Sequence, residues 1–362
     1  MAFMQKKSGN RGAAWVVALL RWFRRHRRPM PWRDGPTPYA VWISEMMLQQ
    51  TQVATVMPKF AHFVMRFPDV QALAVADEQA VLKAWEGLGY YARARNLHRA
   101  ARKVVSEFGG QMPCTADGLR ALPGIGAYAS AAIASIVHGE AVPAVDGNVL
   151  RVIARFRGIA DDIMRPATRQ AIYDFLLPHI RRVNPSYFNQ ALMELGALVC
   201  RPRKPLCGVC PLAKACVARR TQRVDKLPVK SRAKAGPHHD IAMAVVHRRG
   251  RWLMARRPAQ GLLGGLWEFP QGRRGAGEDH AAAVMRIARE ETGLRVRVGL
   301  PLPTVKHAFS HFRITVRPMA CERAGGRLRR GHAIAELRWV TAEELDALPL
   351  TKVARDVARG II

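Results

Sequence analysis

Two carboxylates and four thiols carry the chemistry most readily read from this chain of 362 residues. Glu45 stands in Trp42-Ile-Ser-Glu45-Met-Met-Leu, an apolar run whose burial would raise a carboxyl pKa and keep the group protonated near neutrality. Its plainer role is the solvent face of an amphipathic helix. Asp146 stands in Val145-Asp-Gly-Asn-Val149, just ahead of helical apolar spacing, where the plainest role is an N-cap. Two carboxyls in different environments suit cleavage of a bond from a sugar to its leaving group. One acid protonates the departing group and one anion stabilises oxocarbenium charge. By analogy, an N-glycosidic bond fits the same scheme.

The thiols are Cys200, Cys207, Cys210 and Cys216, spaced C-x6-C-x2-C-x5-C. A zinc ribbon normally offers two C-x2-C pairs, whereas one pair with two outlying thiols on a short loop can wrap a [4Fe–4S] cubane. Zinc stays open as the alternative. Disulfides fit less well, because Cys114 and Cys321 stand alone and no secretory signal pattern is present. A reducing, cytoplasmic compartment is expected. Arg201, Arg203 and Lys204 lie between the first two thiols, so a closed loop would hold a rack of phosphate contacts, a structural rather than redox role.

The elements that position these groups fall into two expected domains. From Trp15 to Ala218 the apolar spacing is helical, as in Val16, Leu19, Leu20 and Phe23, and again in Val149, Val152, Ile153 and Phe156. Residues 1–218 are read as a mainly α domain containing the thiol loop at 200–216, and 219–237 as a linker rich in Arg, Lys, Pro and Gly. Residues 238–362 are read as a smaller α+β domain. It has strands at Ile241–His247, Trp252–Ala255, Ile314–Met319 and Leu337–Val340 and a helix over Asp279–Thr292. The formal net charge is +31, spread as +21 over residues 1–237 and +10 over 238–362. No apolar run is long enough to span a membrane, and duplex nucleic acid is the partner this charge fits.

The segment Leu122-Pro-Gly-Ile-Gly126 before a small-residue helix predicts a hairpin. Its Leu122, Gly124 and Gly126 would let backbone N–H groups approach a phosphate, and the reading is a helix-hairpin-helix that grips DNA without reading sequence. Together, the thiol spacing, this LPGIG hairpin, the VDGNV segment and the run WISEMMLQQTQV resemble the endonuclease III superfamily and, within it, MutY-type adenine DNA glycosylases. The resemblance covers nearly the whole chain. It implies that Glu45 protonates adenine at N7, that Asp146 stabilises the cation-like sugar, and that the four cysteines hold a [4Fe–4S] cluster. It further implies that Gln50 and Tyr90 wedge beside the mismatched pair. Arg28, Met30, Trp32, Arg33 and Val53 would form the adenine pocket. In bifunctional relatives a lysine occupies the seventh residue of the hairpin motif and forms a Schiff base. Here that residue is Tyr128, so base excision without efficient strand cleavage is expected, with Tyr128 supporting the flipped nucleotide or Asp146.

In the second domain, Gly272-x5-Glu278-x7-Arg286-Ile-Ala-Arg-Glu290-Glu291-Thr-Gly293 resembles a Nudix box whose first helical Glu is replaced by Ile287. Isoleucine cannot ligate Mg²⁺, so a Nudix-like fold reused for binding is expected. The resemblance implies recognition of 8-oxoguanine by Phe309, Ser310 and His311, with Ser310 bonding the altered base edge. A metal site at His307 and His311 is not expected. The expected substrate is double-stranded DNA with adenine opposite 8-oxoguanine or guanine, acted on by a monomer held at the bacterial nucleoid through DNA. The rivals are a bifunctional glycosylase/lyase, a Nudix pyrophosphohydrolase and a non-catalytic DNA-binding cluster protein.

Overall fold

A computed structural model of the protein describes residues 11–231 and 236–361. Residues 1–10 of the expected helical domain, 232–235 of the expected linker and 362 lie outside the described residues. The chain forms two compact units, one of residues 1–74 with 99–232 and one of residues 75–98 with 233–362.

The first unit is helical. Its main core gathers Trp15, Leu19 and Phe23 of the helix Arg11–His26 with Val149, Ile153 and Phe156 of Gly147–Arg157. Ile172 and Leu176 of Pro166–Ile180 and Phe188, Leu192 and Leu195 of Pro185–Leu198 complete it. The buried positions recur at three and four residues, so each helix presents one apolar face, and each fully buried leucine or isoleucine contributes roughly 1.5–3 kcal/mol. Helix Gly147–Arg157 stops at Gly158, which has φ +72 and whose added Cβ would lie 2.5 Å from Val217. Only glycine suits both conditions.

Two further helices carry the site. Pro38–Leu48 starts from Thr37, whose hydroxyl accepts the Ala40 N–H, with proline at its first position, and it buries every residue from Val41 to Met47. It packs against Ala127–Val137, whose alanines and serines allow close approach. After Val217–Arg220 the segment read as a linker continues against this unit: Leu227 is buried and the Val229 carbonyl accepts the Ile163 N–H.

The second unit is built on an eight-stranded mixed sheet. Its strands are β1 (His238–Arg248), β2 (Arg251–Arg256), β3 (Trp267–Glu268), β4 (Gln271–Arg273), β5 (Leu294–Pro301), β6 (Val305–Ala308), β7 (Arg313–Gly326) and β8 (Glu336–Val340). The central order is β3-β2-β1-β7-β5, with β1 and β7 parallel, β4 on β1, β6 on β7 and β8 on β2. Alternation along β1 sends Met243 and Val245 to a core closed by the helix Lys352–Ala358, and Ala242, Ala244 and Val246 to a core closed by His280–Thr292. The four strands and the helix read from sequence are present, each strand with wider bounds and the helix starting one residue later, at His280. Strands β3 to β6 were not anticipated. Residues 75–98 belong to this unit: Gln79 accepts from the Trp267 indole at 2.9 Å, and Arg355 pairs with Glu86 at 2.7 Å. Strands β6 and β7 are joined by a turn in which the Phe309 N–H donates to the Phe312 carbonyl at 2.8 Å, leaving Ser310 and His311 exposed at its tip.

Candidate active site

Glu45 lies inward on the helix Pro38–Leu48, 5% exposed. Tyr128, in the first turn of Ala127–Val137, donates its hydroxyl to Glu45 Oε2 at 2.7 Å. Burial raises the Glu45 carboxyl, with a smaller push from the Asp146 charge, and Tyr128 and Arg33 pull against both, leaving it at about 7. The group is thus part-protonated at neutral pH. Burial and the neighbouring carboxylates hold the Tyr128 phenol well above its ordinary range, so its proton stays available to Glu45.

Asp146 is the N-cap of Gly147–Arg157. Its Oδ1 accepts the Val149 N–H at 2.7 Å and its Oδ2 accepts from Asn148 Nδ2 at 2.8 Å. Burial raises this carboxyl, and those two bonds and Arg151 oppose the rise. The cap and a charge-stabilising role are compatible, because the positive helix end favours the anion. Arg151 then bonds Asn148 Oδ1 at 2.7 Å and the Cys200 carbonyl at 2.7 Å, connecting the Asp146 cap to the cysteine loop.

Of the five residues expected in a base pocket, Met30 and Trp32 are buried, with Trp32 edge-on to Phe60 at 5.0 Å. Arg28 and Arg33 converge on Glu194, which the sequence reading did not single out. Arg28 Nε and Nη2 donate to its two oxygens at 2.8 and 2.9 Å, and Arg33 Nη2 donates at 3.1 Å. Against the upward pull of burial, these bonds hold the Glu194 carboxyl at about 2. An acid inside the apolar run of Pro185–Leu198 was the available signal, since a buried charge needs a partner. Val53 opens the helix Val53–Arg66 and is half-buried. Gln50 follows Pro38–Leu48, exposed and at φ 57, a left-handed conformation uncommon for a residue other than glycine.

In the hairpin, Leu122 is buried, Gly124 turns at φ +79, and Gly126 is the extended N-cap of Ala127–Val137 with open space where a Cβ would sit. Backbone N–H groups at that helix start are open to an anion.

The four expected ligands, Cys200, Cys207, Cys210 and Cys216, line one cavity of roughly 30 Å³ together with Arg155, Leu195 and Leu212. Among the described residues, no three Cys, His or acidic groups stand close enough to hold a single metal ion. Burial pushes the Cys210 thiol up to about 11 and raises that of Cys216, against which the backbone N–H groups of Leu212 and Arg219 donate to them, and Arg155 Nη1 reaches Cys200 Sγ at 3.5 Å. Four thiols ringing a cavity, with donors that favour thiolates, fit a cluster with several sulfur ligands.

The remaining expected contacts fall in the second unit. Tyr90 is half-exposed at φ 45, and its hydroxyl lies 2.9 Å from Ser310 Oγ. Its turn is held by Arg93, missed in the sequence reading, which is buried under the rings of Trp85 (5.3 Å) and Tyr90 (5.7 Å). Arg93 Nη2 donates to the Leu88 and Gly89 carbonyls at 2.7 and 3.1 Å. Phe309 sits between His307 and Phe312, each 4.6 Å away by ring centroid, while His311 is exposed.

Two of the three Nudix-box acids, Glu278 and Glu290, are engaged by an arginine. Arg286 forks onto Glu278 at 2.7 and 2.8 Å and reaches Glu290 at 3.0 Å. Ile287 is 2% exposed in the core against Gly272.

Residues 43–176 match the family of HhH-GPD superfamily base excision DNA repair proteins, and residues 241–359 match the NUDIX domain. The chain is 34% identical to adenine DNA glycosylase of Homo sapiens over 94% of this chain and 73% of that one. It is 40% identical to adenine DNA glycosylase of Mycolicibacterium smegmatis over 57% of this chain and 74% of that one. A thermostable thymine-DNA glycosylase structure superposes with a TM-score of 0.53 at 26% identity, covering 60% of this chain and 100% of that one. With a helical glycosylase unit, a Nudix unit and relatives of this extent, the chain belongs to the adenine DNA glycosylase family of base-excision-repair enzymes.

Proposed function

We propose that this enzyme removes adenine paired with 8-oxoguanine, and more weakly adenine paired with guanine, by hydrolysis without strand cleavage. The observation that carries the reading is the buried Glu45 carboxyl, raised to about 7 and bonded by Tyr128, in the same unit as the capped Asp146. Glu45 delivers its proton to the leaving base, and Asp146, held as an anion by the helix end, stabilises the positive sugar and directs water to it. The Tyr128 hydroxyl orients Glu45. No amine stands at that hairpin position to form a Schiff base, so the product is an abasic site. Glu194 fixes Arg28 and Arg33 beside the base pocket. Cys200, Cys207, Cys210 and Cys216 hold a [4Fe–4S] cluster whose contribution is to brace the basic loop around Arg201, Arg203 and Lys204. Ser310 bonds the oxidised base opposite, with Tyr90 at its side.

A single-turnover assay on end-labelled duplexes tests this. Breaks that appear only after alkaline work-up, and in the adenine:8-oxoguanine duplex but not the adenine:thymine one, are expected. Breaks without alkali would establish a lyase instead.

A further inference from the structure

The end of β7 opposite the Ser310 turn carries a concentration of positive charge that the reading above does not use. Arg289 closes the last turn of the helix His280–Thr292, Arg295 lies on β5, Arg323 on β7, and Arg327, Arg329 and Arg330 follow β7 directly. All but the half-buried Arg323 are exposed. The corner is tightly built: Leu294 pairs with Gly326, the Arg295 guanidinium lies across Gly325, and the Arg329 and Gly331 N–H groups donate to the Thr292 and Glu291 carbonyls at 2.9 and 2.8 Å. The basic run is therefore fixed on the sheet and helix rather than loose.

Its charge is not neutralised locally. Among the described residues, none of these six arginines forms an ion pair; Arg323 and Arg330 bond only the neutral Gly326 and Ala335 carbonyls. The nearby acids are engaged or partly covered: Glu322 pairs with Arg297 at 3.4 Å, Glu290 with Arg286 at 3.0 Å, and Glu291 is half-buried. Complementing the helix C-terminus accounts for one or two cations, not six. Guanidinium groups in this number suit phosphate oxygens.

We propose that this corner is a second, sequence-independent site for the phosphate backbone of duplex DNA, separate from the turn that carries Ser310. Strand β7 has 14 residues, which at about 3.3 Å each puts the two ends roughly 40 Å apart. That distance is roughly 12 base pairs of straight duplex. A duplex contacting Ser310 must therefore extend well beyond the lesion before it can also reach the corner.

The test uses the full-length, cluster-loaded protein and undamaged duplexes of about 15 and about 40 base pairs, so it does not depend on which base is recognised opposite adenine. Binding is measured across a salt series for wild type, for Arg327→Ser/Arg329→Ser/Arg330→Ser, and for the same three positions changed to Lys. The Ser variant is expected to bind the long duplex about tenfold more weakly, with its salt slope reduced by about 2 to 3, while the Lys variant keeps both. Excision from a short mispaired duplex stays at the wild-type rate. Loss of a second short duplex in stoichiometric titration would equally support the site and would identify a separate molecule, rather than the flank, as the source of the phosphates. Unchanged affinity and slope on the long duplex, with no change in the short-duplex stoichiometry, would overturn the proposal.

Discussion

Two glutamates, Glu45 on the helix Pro38–Leu48 and Glu278 in the loop just ahead of His280–Thr292, have surroundings that give them opposite chemistry. Glu45 is enclosed by apolar side chains, receives one hydroxyl and keeps a carboxyl poised to give up a proton near neutrality. Glu278, in the Nudix box, is half-buried, and the Arg286 fork holds it down to about 2. Burial favours the neutral acid, whereas a guanidinium favours the anion. The first group can act as an acid; the second serves as a clamp between a loop and the helix His280–Thr292. Ile287 completes the contrast, because the position where a complete box would offer a metal ligand has joined the hydrophobic core.

The sharpest way to break this contrast is at Glu45. Glu45→Gln removes the proton donor and is expected to slow excision by about a thousandfold with duplex binding retained. The same change should stabilise the fold at alkaline pH. Because the folded-state value lies near 7 and the ordinary value is 4.5, the wild type loses stability as pH rises between them. Thermal melts should therefore show the Gln variant gaining over wild type through that window, by about 3 kcal/mol above it, with no gain in acid. On the other side, Ile287→Glu puts a carboxylate into a closed core and is expected to cost about 3–5 kcal/mol in denaturant unfolding, without creating a hydrolase. Phosphate release from nucleoside triphosphates by that variant would show that Glu278 is not committed to Arg286.

Two smaller effects concern the second unit. Arg93→Met removes the guanidinium that donates to the Leu88 and Gly89 carbonyls beside the Tyr90 turn. It is expected to raise KM for duplex about tenfold while kcat changes little, with Arg93→Lys recovering part of the loss. A fall in kcat alone would place Arg93 elsewhere in the mechanism. Ser310→Ala is expected to reduce the preference for 8-oxoguanine over guanine by several-fold, the scale of one hydrogen bond. Equal preference in wild type and variant would move recognition to another residue.

What the sequence disclosed follows from range. Glu45 sits among neighbours whose apolar character foretold its environment, and the hairpin glycines, the Asp146 cap and the cysteine loop are all local patterns. Glu194 was hidden because its partners, Arg28 and Arg33, lie more than a hundred residues away, and no local pattern pairs them. The assignment of residues 75–98 to the second unit was hidden for the same reason, since Gln79 meets Trp267 and Glu86 meets Arg355 only after folding. Strands β3, β4 and β6 have two to four residues each, too short to show alternation. Arg93 reads as a surface cation on a helix; only the fold shows two aromatic rings over it.

The most direct test of the central claim is the pH dependence of single-turnover adenine excision by the cluster-loaded enzyme. The rate should fall about tenfold per pH unit above about 7, as Glu45 loses its proton. A rate that is flat or rising from neutral to alkaline pH, in wild type still active, would contradict proton donation by Glu45.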